Sequence, residues 1–164
     1  MRNNMPKRLN SFILPDNVIQ KMEDKIRESR LKEIELGFSL CKRPDSDTLK
    51  IGEQCTGGEC SIALPERCEE KEDIYVTAYH THFNENSRPS SQDLPIIYKK
   101  GLGCIGGISL EGKKEIKCYI RTKPKDIEEM YRFKDRLVFI RDRIERRKEI
   151  DKFVSENFKI IKVR

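Results

Sequence analysis

Hydrophobic residues recur at helical spacing near both ends of the chain. After Asp16, a suitable N-cap, apolar positions four residues apart predict a helix to about Leu31. Asp126 and Glu129 have capping-box spacing, and the apolar positions after them predict a long C-terminal helix that breaks before Asp151. The apolar positions are Val18, Met22 and Ile26 in the first segment and Ile127, Met130, Tyr131, Leu137, Val138 and Ile144 in the second. Helices are therefore expected on either side of a central region.

That central region is dominated by strand patterns. Residues 74–82 are the clearest strand, because β-branched and aromatic residues recur there with a period of two. A short helix is expected to open at Ser91-Gln92-Asp93 and to end at Gly101. Further strands are predicted over residues 33–42, 48–54, 103–110 and 115–121. The pattern indicates an α/β fold in which a curved mixed β-sheet is flanked by helices.

Composition favours a single domain with additions. A chain of 164 residues suits one hydrophobic core, and we assign residues 1–123 to the main domain. Residues 53–73 form a turn-rich, acidic, cysteine-bearing insert with one short strand over residues 61–64. Residues 124–164 form a charged helical segment that packs on the domain or extends from it.

The charge of the chain is unevenly placed. The whole excess of +6 falls in residues 121–164, and a basic tail can meet nucleic acid. However, acids and bases alternate there at helical spacing, which favours a solvated helix face over a nucleic-acid surface. The chain has no apolar run of membrane-spanning length and no signal peptide, so we expect a cytoplasmic protein without membrane partners.

The two histidines of the chain, His80 and His82, lie two residues apart at the end of the clearest strand. Alternate strand residues face the same side, so both imidazoles are expected to point to one place. Zinc accepts imidazole nitrogen and carboxylate oxygen in a tetrahedral set. Asp93 can supply the third ligand, which predicts a zinc site.

Residues 80–93 read HTHFNENSRPSSQD. The pattern H-x-H, seven residues, S-x-x-D resembles the metal-binding signature of the JAMM (MPN-plus) metalloprotease family. The resemblance implies Zn²⁺ held by His80, His82 and Asp93, the cytidine-deaminase-like layering of the MPN fold, and Ser90 as a donor to the oxyanion of the reaction. It covers about residues 16–121, and it departs from the family pattern where Phe83 replaces a proline and Lys42 a glycine.

In that family a glutamate on an earlier strand takes the proton of the hydrolytic water. The segment ELGFSLC supplies Glu35, two residues before Gly37, as the match. Glu33 lies on the same face of the predicted strand and is the competing candidate. A structural interpretation also exists for the motif, since S-x-x-D before an apolar run is an ordinary capping box with Ser90 at the N-cap and Asp93 at N3.

The six cysteines support no nucleophile, because both histidines are assigned to the metal. Within the insert, a disulfide between Cys55 and Cys60 or free thiols are favoured over a second metal site involving Cys68. The other three, Cys41, Cys104 and Cys118, fall on predicted strands and are expected to act as small buried apolar residues.

The resemblance implies an isopeptidase or peptidase that removes ubiquitin-like modifiers, with the modifier or its conjugates as partner. Two alternatives stay open. A JAMM hydrolase could instead cut a small peptide or a sulfur-carrier conjugate. In a different class, the protein could be a zinc-stabilised basic module that binds nucleic acid through residues 121–164.

Overall fold

A computed structural model describes residues 5–57 and 66–164 of the chain. In chain order its elements are β1 (Lys7–Leu9), β2 (Phe12–Leu14), α1 (Asp16–Lys32), β3 (Leu36–Lys42), β4 (Leu49–Thr56), β5 (Ile74–Thr81), α2 (Asp93–Lys100), β6 (Leu102–Ile108), β7 (Lys114–Arg121), α3 (Ile127–Val138), α4 (Arg143–Asn157) and β8 (Phe158–Lys162). The strand expected over residues 61–64 lies outside the described residues.

Six of the described strands form one mixed sheet in the order β4-β3-β5-β6-β7-β8. All neighbours are antiparallel except β5 and β6, which run parallel in the register Tyr79–Cys104, His80–Ile105 and Thr81–Gly106. A parallel pair needs a crossover connection, and α2 lies in it. The expectation of an α/β fold with a mixed sheet and flanking helices is confirmed.

Both faces of this sheet are buried by helices. On one face α1 packs through its apolar stripe against a cluster that includes Phe38, Tyr79 and Cys104. On the other face α2, α3 and α4 pack against Ile105 and Tyr119. Successive strand residues therefore belong to opposite clusters, as the two-residue period of a strand requires. Since Tyr79 faces α1, His80 faces the side that carries α2.

Helix α1 ends in a way that shortens the predicted strand over residues 33–42. Glu33 adopts a left-handed conformation with φ of 54° and its N–H donates to the Ser29 carbonyl. This cap occupies the residues before Leu36, where β3 begins. The prediction was wrong at its first residues because helix capping and strand pairing compete for the same backbone groups.

The C-terminal segment departs most from expectation. Instead of one long helix that breaks before Asp151, the chain ends α3 at Val138 and starts α4 at Arg143, so Asp151 lies inside a helix. Asp142 caps α4 by accepting hydrogen bonds from the N–H groups of Ile144 and Glu145. The chain then continues directly into β8, which pairs antiparallel with β7. The segment thus completes the sheet.

The cysteine predictions need correction. Cys41 is bonded to Cys68, and Cys104 to Cys118, which it faces across β6 and β7. Cys41, Cys104 and Cys118 are buried, as expected, but they act as cross-links rather than as small apolar residues. No cysteine of the described ranges is a free thiol. Cys60, half of the pair expected with Cys55, lies outside those ranges.

Within the described ranges, the helices lack the combination of length and apolar character that a membrane crossing requires.

We predict that the C-terminal helices contribute directly to global stability. Phe153 of α4 is 4% exposed and stacks on Phe133 of α3 with ring centroids 4.3 Å apart. Phe153→Ala should lower the free energy of unfolding by about 3–5 kcal/mol, because it removes a buried ring and leaves a cavity. Ile144→Ala, on the same helix at a side chain that is 69% exposed, should change it by less than about 0.5 kcal/mol. Urea unfolding of both variants measures the difference, and equal small effects would show that α4 folds apart from the sheet.

Candidate metal centre

The candidate centre is built on the last residues of β5. His80 pairs with Gly37 of β3, and a Cβ at Gly37 would lie only 2.3 Å from the Tyr79 carbonyl oxygen. Only glycine permits this close approach of the two strands. The pairing of β3 with β5 ends at Gly37 and His80, so Glu35 and His82 both lie just beyond the same end of the strand pair.

His82 follows β5 but remains attached to the sheet. Its backbone N–H donates to the Gly106 carbonyl on β6 at 2.8 Å. The two imidazole rings lie 5.1 Å apart between centroids, and each histidine is 7% exposed. The paired rings are therefore buried and converge as the strand alternation predicts.

Asp93 is the first residue of α2 and faces both rings. Its Oδ1 lies 3.1 Å from His80 Nε2, and its Oδ2 lies 3.1 Å from His82 Nε2. The ligand atoms of His80, His82 and Asp93 all lie within 4.8 Å of one another. The structure thus brings together the three side chains that the motif spacing singled out.

The capping box is present beside these contacts. Ser90 N–H donates to Asp93 Oδ2 at 2.9 Å, and Asp93 N–H donates to Ser90 Oγ at 3.1 Å. These reciprocal bonds satisfy backbone groups at the start of α2 and also hold the carboxylate in one rotamer. Capping and ligand placement therefore use the same two residues.

The donor set fits a zinc ion. His82 Nδ1–H donates to the Asn86 carbonyl at 2.9 Å, so in the neutral ring the lone pair lies on Nε2, which faces Asp93. His80 Nε2 is buried and makes no well-oriented hydrogen bond to any described residue, although Asp93 Oδ1 is near. A buried nitrogen left without such a bond is costly, and a cation between the three side chains would satisfy it.

Electrostatics bind the three groups together. Burial raises the pKa of Asp93, but the charges of His80 and His82 and the hydrogen bond to His82 outweigh it and hold that pKa well below its usual value. Burial lowers the pKa of His82, yet the hydrogen bond and charge of Asp93 leave it above its usual value. A proton and a metal ion would therefore compete for His82 Nε2.

The two candidate glutamates occupy different places. Glu35 is half-buried, and burial raises its pKa against the opposing charges of His80 and His82. Glu33 is exposed, and it lies in the left-handed cap of α1 rather than on a strand. Since Glu35 interacts electrostatically with all three candidate ligands, the geometry favours Glu35 over Glu33 as the acid of this site.

Distant residues hold the loop between His82 and Asp93, and the motif gave no sign of them. Tyr119 Oη donates to the Ser87 carbonyl at 2.6 Å, and Glu115 accepts hydrogen bonds from both the N–H and the hydroxyl of Ser87. From α4, Arg147 donates to the Pro89 carbonyl at 2.8 Å. The one sign of these contacts in the sequence was Glu115, an acidic residue at the start of an apolar strand. These contacts fix the path of the loop in which Phe83 stands where the family pattern has proline.

A cavity of about 840 Å³ opens beside His82. Phe83 and Asn86 form its side next to the centre, and Ile108, Arg30 and Glu33 line it farther away. Its described lining does not include His80, His82 or Asp93, so the cavity adjoins the candidate centre through Phe83 and Asn86.

The comparisons with known proteins add no family assignment. A scan of the chain against protein-family models matches no family, and a search of curated proteins finds no match.

We predict that zinc binding depends on the carboxylate of Asp93. Asp93→Ala removes one of three ligands, so the purified protein should lose most of its zinc. Asp126→Ala is a matched control, because Asp126 also caps a helix through its side chain but belongs to α3. The control should lose about 1 kcal/mol of stability and keep its zinc. Elemental analysis and zinc titration measure the outcome; equal zinc content in the two variants would contradict the prediction.

A second prediction concerns Glu115 and the loop. Burial raises the pKa of Glu115, but its hydrogen bonds from Ser87 outweigh that effect and leave the pKa below its usual value. The stabilisation that ionised Glu115 gives to the folded state is therefore present above the pKa of Glu115 in the unfolded state. It is lost as the pH falls through the pKa of Glu115 in the folded state. Glu115→Gln should be less stable than wild type at pH 7, and the gap should narrow in acid. Unfolding between about pH 7 and pH 3 tests this, with exposed Glu111→Gln as control; a pH-independent gap would contradict it.

Proposed function

We propose that this protein is a zinc-dependent hydrolase of the JAMM type that cleaves an amide or isopeptide bond. The observation that carries the proposal is the convergence of two buried imidazoles and one carboxylate around His80 Nε2, which lacks a well-oriented hydrogen bond. The spacing of His80, His82, Ser90 and Asp93, which matches the family signature, supports it. His80, His82 and Asp93 would hold the ion.

Zinc bound by these residues would act as a Lewis acid and would make water acidic enough to ionise near neutral pH. The protein's own task is then to move protons and to stabilise charge. Three ligands rather than four are typical of catalytic zinc sites, because one position stays open to water or substrate.

Glu35 would be the proton carrier. A carboxylate outside the ligand set must accept a proton from the attacking water and deliver it to the leaving amine. Burial raises the pKa of Glu35, which makes the carboxylate a better proton acceptor near neutral pH. Its electrostatic interaction with His80, His82 and Asp93 supports a place near the proposed ligands.

Ser90 would donate to the oxygen that becomes negative in the tetrahedral intermediate. Its Oγ accepts hydrogen bonds from the N–H groups of Gln92 and Asp93. Both of its acceptor positions are therefore used within the chain, and its single hydroxyl proton remains to be donated to substrate. Such a donor is worth about 100-fold or more in rate when it meets an oxyanion.

The substrate class that we propose is a ubiquitin-like modifier joined through its C-terminus to a lysine side chain. An extended tail needs a wide approach rather than a small closed pocket, and the cavity beside His82 has a volume of about 840 Å³. A small-peptide or sulfur-carrier conjugate is the alternative substrate class.

We predict that Glu35→Gln abolishes most turnover while zinc stays bound. The amide cannot accept the proton of water, so the catalytic rate should fall by about 100-fold to 10,000-fold. The assay is chelator-sensitive cleavage of a ubiquitin-like conjugate, followed together with zinc content. Glu33→Gln is the matched control and should keep both zinc and most of its activity.

Two outcomes would contradict this prediction. Full activity of Glu35→Gln would remove Glu35 from the mechanism, and loss of activity in Glu33→Gln alone would assign the role to Glu33. Absence of chelator-sensitive cleavage in zinc-loaded wild type, for conjugates and short amides alike, would remove the proposed function itself.

A further inference from the structure

A second cavity adjoins the first at the same end of the sheet. It has a volume of about 540 Å³ and shares Arg30 and Ile108 with the cavity beside His82. The two cavities therefore share part of their lining, and we treat them as one depression. We call the second cavity, together with Leu110 from the lining of the first, the distal groove and define it by Arg27, Arg30, Leu31, Leu110, Lys113 and Lys114.

The distal groove is basic. The side chains of Arg30, Lys113 and Lys114 are exposed, and none of them forms an ion pair with an acid in the described part of the chain. Arg27 meets only Asp24, at 3.6 Å on its own helix. No acidic side chain among the described residues lines the second cavity. Uncompensated cations in a concave surface create a positive potential that attracts acidic ligands.

Two leucines border the same groove. Leu31, at the end of α1, is 80% exposed, and Leu110, in the turn between β6 and β7, is 99% exposed. An isolated exposed leucine is ordinary, but two beside one basic depression offer apolar contact together with charge. The combination suits a ligand that carries both carboxylates and apolar side chains.

The charged residues differ between the two cavities of the depression. The cavity beside His82 is lined by Glu33 and Glu85 in addition to its arginines, whereas the distal groove carries only cations among its charged residues. A bound chain would therefore gain most from acidic residues at the distal end. The difference in charge would therefore orient the bound chain, with its acidic end in the distal groove.

We propose that the distal groove docks an acidic, apolar-containing segment of the protein substrate whose amide bond is cleaved at the candidate centre. The cleavage rests on the proposed function, whereas the docking does not. The charge of the groove and the lining that it shares with the cavity beside His82 favour a protein segment over a small ligand, because the two cavities, of about 840 and 540 Å³, are far larger than a single amide requires.

The test uses a fluorescein-labelled peptide of alternating glutamate and leucine, about ten residues long, and fluorescence anisotropy with the full chain. Lys113→Glu/Lys114→Glu should weaken binding by about tenfold or more, because two attractions become repulsions. Lys123→Glu/Lys125→Glu changes the net charge equally at the other end of β7 and should bind like wild type. Equal binding by the two double variants would overturn the proposal.

Two further measurements identify the ligand class. Leu110→Ser should weaken binding of the glutamate–leucine peptide and leave binding of a glutamate–serine peptide unchanged. Tighter binding of a single-stranded oligonucleotide than of the peptide, with no effect of Leu110→Ser, would overturn the assignment to a protein segment. Each result decides between acidic protein and nucleic acid as the occupant.

The experiments can contradict docking in the distal groove and cleavage at the candidate centre independently of each other. His80→Ala should keep peptide binding, so binding without any chelator-sensitive cleavage by wild type would retain the groove and remove the proposed function. Cleavage of a conjugate with peptide binding and KM both unchanged in Lys113→Glu/Lys114→Glu would retain the function and remove the groove.

Discussion

The parallel pairing of β5 with β6 is the constraint on which the candidate centre depends. A parallel neighbour obliges the chain to leave the carboxyl end of β5, return along the sheet and re-enter at the start of β6. Helix α2 makes that return, so its first turn must lie near the end of β5. His80 and Asp93 are separated by twelve residues in sequence but are brought into contact by this one crossover.

The first turn of α2 also stabilises the buried charge of Asp93. A buried carboxylate is destabilising unless charges or hydrogen bonds compensate it. Asp93 obtains both, from the imidazoles in front of it and from the Ser90 N–H at the helix start. Because the helix N-terminus also favours negative charge, the acid is stabilised in the ionised form that metal binding requires.

Local patterns predicted the parts of this arrangement that depend on local geometry. The period of β5 predicted the shared direction of His80 and His82, and the capping pattern predicted how Ser90 and Asp93 meet. Other contacts join residues that are distant in sequence. They are the disulfide between Cys104 and Cys118, the pairing of β8 with β7, and the hydrogen bond from Tyr119 to the loop before Asp93. Such contacts depend on strand order, which hydrophobic periodicity does not encode. Glu33 was misplaced because a helix cap overrode a strand pattern.

The structure changes the interpretation of the charged C-terminal segment. From the sequence, its excess of cations left nucleic-acid binding open, although the alternation of acids and bases favoured a solvated helix face. In the structure, β8 is a strand of the main sheet and Arg147 of α4 donates to the loop that precedes Asp93, while pairing with Asp151 on its own helix. Part of that charge is therefore used to hold the candidate centre. In the described part of the chain, the cations of the distal groove that form no ion pair belong to α1, to the turn before β7 and to the first residue of β7, so selection of an acidic partner would arise from the main domain rather than from the tail.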